Sequence, residues 1–215
     1  MKAAKDEGAV EIHRERFIYD GVLYERFTLT NYFPGAVNFR FAAALDADFQ
    51  DMFIVRKYRS GEVGAKRGQD TGYRNMSIRY RGADDIVRET RIAWDRDETS
   101  ADAEGNVQFS IRLEPQETER ICFFITPVQE PQCPSVLAYD EALEKLEASY
   151  ERWYEETSRI RSDSDVFDGL FLRGAQDLRM LMTDVAMVTC LSQGCPGLRS
   201  LLAETASLRP CSCFR

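Results

Sequence analysis

The sequence predicts a mainly β chain: an antiparallel β-sandwich followed by two α-helices. Three observations predict it. Apolar and polar residues alternate over several short runs, as in Val37, Phe39, Phe41, Ala43 and Leu45, which gives each run one apolar face. Turn-forming stretches separate these runs at short intervals, the spacing of sandwich strands. Beyond Pro134 the apolar residues recur at helical spacing instead, in Leu143, Leu146, Tyr150 and Trp153.

In order along the chain, a first strand is expected from Val10 to Tyr19 and closes at Asp20-Gly21. Both turn residues tolerate positive φ, so a hairpin into VLYERFTLT is predicted. The turn Asn31 to Gly35 leads into the strand at Val37. That strand breaks at Asp46, Ala47, Asp48 and Phe49, and a second apolar run ends at Val55. Arg56 to Tyr73 is rich in Arg, Lys, Gly, Gln and Asp and reads as a long exposed loop. Strand patterns resume in Met76 to Tyr80, Ile86 to Trp94, Val107 to Leu113 and Arg120 to Thr126.

Pro127 to Pro134 carries three prolines in eight residues, which argues against a central strand and for a linker. The first helix follows, with Glu141–Lys145 and Glu155–Arg159 as supporting ion pairs. Asp163 or Ser164 can cap the second, whose stripe is Phe167, Phe171, Leu178 and Met182. The expected division is therefore 1–126 sandwich, 127–134 linker, 135–184 helical segment and 185–215 tail. Two helices cannot close a core of their own, so they need the sandwich or something larger.

At 215 residues, the chain can bury one sizeable core. Acidic residues outnumber basic ones, 36 to 28, for a formal net charge of −8. This argues against nucleic acid and anionic membranes as partners. Met1 to Arg16 has no apolar core segment of a signal peptide, and no run is long enough for a membrane span, so the expected location is cytoplasmic. Of the six cysteines, Cys122 and Cys133 stand apart, whereas Cys190, Cys195, Cys211 and Cys213 crowd the last 26 residues. Without an export signal, reduced thiols are expected.

Candidate chemistry is sparse. The sole histidine, His13, lies in a charged strand and reads as a surface residue. No nucleophile elbow, phosphate-binding glycine loop or H-E-x-x-H motif occurs. Asp46, Asp48 and Asp51 are the one carboxylate set that could serve acid–base chemistry or calcium. Their D-x-D-x-x-D spacing lacks the glycine and terminal glutamate of an EF-hand loop. The favoured reading is that they accept backbone hydrogen bonds where the strand ends. Tyr19, Tyr24, Tyr32 and Phe33 could stack on sugars, although aromatics in strands are more often core. Tyr150 and Trp153 likewise read as packing. The C-x4-C and C-x-C spacing of the tail is not a familiar zinc pattern. No metal and no cofactor are expected.

The segments RERFIYDGVLYERFTLTNY, FAAALDADFQDMFIVR and IRYRGADDIVRETRIAWD resemble the N-terminal domain of bacterial glycogen-debranching-enzyme-like proteins, the amylo-α-1,6-glucosidase type. The resemblance runs from about Glu11 to Asp184, and LYERFTLTNY and LDADFQDMF are its most specific pieces. It implies a β-sandwich followed by an (α/α)6 barrel, with DLRML at Asp177 to Leu181 in the first barrel helix. Catalytic carboxylates of such enzymes lie in the barrel, so no catalytic residue carries over to this chain.

What the resemblance implies is a non-catalytic sandwich of an α-glucan-acting glycoside hydrolase, truncated at both ends and inactive alone. Its partners would be the barrel and an α-glucan. A free-standing carbohydrate-binding or interaction module is the alternative. A self-sufficient glycosidase would have to draw its acid and base from Asp46, Asp48 and Asp51. After Asp184 the family continues with Ala-Gly-x-Pro-Trp-Phe and Phe-Gly-Arg-Asp-Ser, which are missing here. Regrouping the codons for Ser192 to Leu198 and Leu201 to Ser212 permits both motifs in one shifted frame. The tail from about Val185 is therefore expected to be a frameshifted translation, with a genuinely divergent tail as the alternative, and in either case to lack stable structure or be held only loosely. Strands lacking their partners would leave exposed edges and poor solubility.

Overall fold

The computed structural model describes residues 10–50, 52–58, 64–129, 133–158, 160–185 and 188–191. These fall into two compact units, Met1–Glu151 and Arg152–Arg215. The first is a sandwich of two antiparallel sheets.

Its larger sheet has six strands in the order β1-β2-β9-β6-β5-β4. These are β1 (Val10–Tyr19), β2 (Val22–Asn31), β4 (Gly64–Gly72), β5 (Asn75–Gly82), β6 (Val87–Trp94) and β9 (Thr118–Val128). The smaller sheet runs β3-β8-β7, with β3 at Val37–Ala44, β7 at Ser100–Ala101 and β8 at Asn106–Leu113. Asp20 and Gly21 both take positive φ, 47° and 77°, so the first hairpin has the predicted Asp-Gly turn.

Strand alternation decides where the core forms. Odd residues of β9 and β2, with even residues of β5 and β6, face the small sheet: Leu29, Met76, Ile78, Ile92, Trp94, Ile121 and Phe123 pack with Val107, Phe109, Ile111 and Leu113. Each such side chain contributes about 1.5–3 kcal/mol by leaving water. The intervening residues of β2 and β9 serve a second core on the opposite face. Here Val22, Tyr24 and Cys122 pack with Tyr139 and Ala142 at the start of helix α2 (Tyr139–Glu156). Strand β9 is thus covered on both sides.

Three elements depart from the sequence reading. Within the stretch predicted as a loop from Arg56, β4 forms an edge strand whose residues are all exposed or half-buried, so its sequence has no apolar alternation to betray it. The apolar run before Val55, expected to extend, is instead the short helix α1 (Met52–Val55). Strand β9 continues through Pro127, which faces Thr90 of β6. Its pairing with β2 ends earlier, at Leu23–Ile125, so the proline sits where β9 has run past that neighbour.

In the second unit, α3 (Asp165–Leu181) begins at Ser164, whose hydroxyl accepts from the Phe167 N–H as predicted. Asp165 and Asp168 in its first turn suit the positive end of the helix dipole. No residue of α3 is buried: in the predicted apolar stripe Phe167 and Leu178 are exposed, and Phe171 and Met182 are half-buried. Strands β10 (Met182–Val185) and β11 (Val188–Leu191) pair antiparallel, from Met182 opposite Leu191 to Val185 opposite Val188. Residues 192–215, with Cys195, Cys211 and Cys213, and Arg159 of the expected helix ion pair, lie outside the described residues.

Candidate functional site

The most chemically featured region of the first unit is the end of the sandwich where β3 stops and β5 starts. Leu45 donates its N–H to the Gly105 carbonyl at 2.9 Å, and the Thr71 hydroxyl bonds the Asp102 carbonyl at 3.1 Å, which ties three loops together. A side chain at Gly105 (φ +91°) would lie 2.1 Å from the Leu45 oxygen, so only glycine fits this junction.

Of the three predicted carboxylates, the structure explains two. Asp46 accepts from the Ala47 N–H at 2.8 Å and from Lys66 Nζ at 2.8 Å, and the lysine hydrogen bond holds its carboxyl below the usual range. Asp48 accepts from the Gln50 N–H at 3.1 Å, closing a turn around Phe49, which takes φ +49°. That turn lays the Phe49 ring on Tyr80 of β5, centroids 4.7 Å apart and nearly parallel. The acidic loop thereby carries the chain from the small sheet to the large one. Asp51 lies outside the described residues.

The sugar-stacking candidates separate by burial. Tyr24 is fully buried, stacked on Phe17 at 4.9 Å, with its hydroxyl accepting from the Leu137 N–H. Tyr19 packs against the same core. Tyr32 and Phe33 are exposed at the turn after β2, and the Tyr32 hydroxyl donates to Glu11 at 3.2 Å. His13 lies on the surface, 4.0 Å from Glu15. Among the described residues no group of three or more His, Cys, Asp or Glu side chains is placed to hold a metal.

A tighter cluster escapes the sequence reading. At the tip of the β4–β5 hairpin the exposed Tyr73 donates its hydroxyl to Asp97, and Arg74 Nε donates to the same carboxylate at 2.7 Å. The Arg74 guanidinium lies 5.3 Å from the Tyr73 ring centroid. Behind them, Glu98 accepts from the buried Trp94 indole at 3.0 Å and from the Arg74 N–H. The Tyr73 hydrogen bond holds Asp97 below the ordinary carboxylate range, and Asp97 in turn raises Tyr73. Tyr-Arg occupying the tip of a two-residue hairpin, in place of Asn-Gly or Asp-Gly, was the signal available in the sequence.

Two cavities open on the outer sheet faces. One, of about 420 Å³, is lined by Asn38, Arg40, Ser110 and Arg112, and another, of about 380 Å³, by Ser77, Glu89, Arg91, Phe124 and Thr126 among others. Neither brings two carboxylates together, and Glu89 of the second is paired with Arg91 at 2.9 Å.

A family model describing the N-terminal domain of some glycogen debranching enzymes matches residues 2–123. The chain belongs to this family. The match spans the sandwich to the middle of β9, including the LDADFQDMF loop and the Tyr73 hairpin. No curated protein matches the chain significantly. Among the solved structures that are similar, two are alike at low identity. One is a protein provisionally described as a kojibiose phosphorylase, from the human microbiome: identity is 12%, TM-score 0.45, with 80% of this chain and 22% of that one covered. The other is a polysaccharide lyase, at 14% identity and TM-score 0.36, covering 65% of this chain and 22% of its own. The chain therefore spans less than a quarter of either structure. Among the described residues no helix is long and apolar enough to cross a membrane.

Proposed function

We propose that this chain is the non-catalytic sandwich domain of a glycogen-debranching-type glycoside hydrolase acting on α-glucans in the cytoplasm, and that it supports an (α/α)6 barrel. The observation that carries the reading is the family match over 2–123. Glycoside hydrolysis needs two carboxylates flanking the scissile bond. In the sandwich, Asp46 is engaged by Lys66 and Asp48 closes a turn, which supports a structural role for the loop. The acid and base would then belong to the barrel, and α3, none of whose residues is buried, would be one of the barrel's helices.

Resequencing the genomic DNA from the codon for Leu178 past the stop tests this reading. A shifted frame should restore Pro-Trp-Phe and Phe-Gly-Arg-Asp-Ser and continue for the length of a barrel. Protein made from that frame should release sugar from malto-oligosaccharides, and the present chain should release none. Release of sugar by the present chain, or a confirmed frame with nothing barrel-like after it, would overturn the proposal.

A further inference from the structure

We propose that Tyr73, with Arg74 and Asp97, forms a stacking subsite for an α-glucan on the loop end of the sandwich. Two of the hairpin tips of the large sheet give the first argument. Between β1 and β2 the tip is Asp20-Gly21, both at positive φ, the chemistry such turns favour. Between β4 and β5, Gly72 pairs directly with Asn75, which leaves Tyr73 and Arg74 as the two tip residues. Of these, Arg74 takes φ +55°, a conformation that costs a bulky residue energy and is retained where surrounding structure enforces it.

That enforcement is visible. The Arg74 carbonyl accepts from the Trp94 N–H at 3.1 Å, its own N–H reaches Glu98, and the Tyr73 carbonyl accepts from the Asn75 side chain at 2.8 Å. The neighbouring residue Thr71 is pinned to the Asp102 carbonyl. All this rigidity supports a ring that remains 69% exposed. An aromatic that serves packing is covered; this one is held still and left facing water.

A saccharide fits what is presented. A tyrosine ring offers a flat apolar face, and the C–H face of a pyranose is flat and apolar as well. Arg74 and Asp97 are bonded to each other through one carboxylate oxygen and the guanidinium lies over one ring face, so the sugar would take the other face, its hydroxyls meeting the remaining carboxylate oxygen and guanidinium N–H groups. Because the ring is pre-positioned, little conformational freedom is lost on binding. The choice of an α-glucan rests on the proposed function above; the presence of a sugar platform rests on the hairpin geometry.

Affinity electrophoresis of the full chain through gels containing glycogen, and in parallel through gels containing a β-linked glucan, tests the subsite. Wild-type protein should be retarded by glycogen and not by the β-glucan. Tyr73→Ala should weaken the apparent affinity at least tenfold, whereas Tyr73→Phe, which keeps the ring, should stay within about threefold. Thermal melts of both variants check that the exposed substitution leaves the fold intact. Equal retardation of wild type and Tyr73→Ala by glycogen overturns the subsite and leaves the α-glucan reading standing. Retardation by the β-glucan alone, abolished in Tyr73→Ala, keeps the platform but overturns its α-glucan ligand. Retardation by neither gel overturns the subsite outright.

Discussion

The guanidinium of Arg26 lies 4.1 Å from the centroid of the Tyr139 ring and donates to Asp140 at 2.8 Å. A residue of β2 thus grips the first turn of α2, and Glu15 of β1 holds the same guanidinium from the side at 3.1 Å. Docking of the helix on the large sheet is polar at its rim and aromatic at its centre, where Phe17, Tyr24 and Tyr139 meet.

Arg26→Met keeps the aliphatic stem and removes the charge, leaving the Tyr139 face and two carboxylates without their cation. A loss of about 1–2 kcal/mol is expected, because the arginine is only 13% exposed. Arg112→Met, at a pair on the open face of the small sheet, should change stability by no more than about 0.5 kcal/mol. Urea unfolding of both variants measures the contrast; equal midpoints would remove Arg26 from the docking account.

Asn31 is fully buried at the end of β2. Its amide nitrogen donates to the carbonyls of Gly35, Leu113 and Glu114 at 3.0–3.1 Å, and its oxygen accepts from the Phe33 N–H at 2.9 Å. Asn31→Leu leaves those backbone groups without partners, at a cost of about 3–5 kcal/mol. Asn31→Asp, which turns oxygens toward three carbonyls, should be at least as damaging. Chemical denaturation that finds either variant within about 1 kcal/mol of wild type contradicts this.

Asp84 has its carboxyl lowered to about 2, chiefly by its hydrogen bonds with Arg88, at 3.0 and 2.7 Å. Since the folded state holds this proton more weakly than the unfolded chain, whose reference value is 3.8, the pair stabilises above about pH 4. Its contribution fades as pH falls from there toward 2. A carboxyl NMR titration should place the Asp84 midpoint near 2, and Asp84→Asn should flatten the pH dependence of stability in that window. A midpoint near 4 would disprove the pairing in solution.

How legible was this fold? Strands with one covered face announced themselves: Val37 to Ala44 and Val107 to Leu113 alternate because one side of each meets the core. Strand β4 gave no such signal, since an edge strand open to water has no face to make apolar. Pro127 misled because the rule against proline in central strands applies residue by residue, and at that position one neighbour has already ended. At the candidate site, Asp46 and Asp48 accept from the N–H groups of Ala47 and Gln50, and Asp46 also pairs with Lys66. Tyr73 went unnoticed because an exposed aromatic in a polar stretch has no periodicity; its support comes from Trp94, Asp97 and Glu98, some twenty residues further along.

The double covering of β9 sets an order on synthesis. Thr30 of β2 meets Thr118 of β9 across 88 residues of sequence, so the first hairpin leaves the ribosome long before its inner neighbour exists. At roughly 5–20 residues per second, the wait is about 4–18 s. Throughout it, β2 presents a bare edge, together with Val22 and Tyr24 on one face and Phe27 and Leu29 on the other. The arrival of β9 closes the edge, and the face of Val22 and Tyr24 is covered when Tyr139 and Ala142 of α2 follow. For the nascent chain, the interval before β9 emerges is when a chaperone has most to shield.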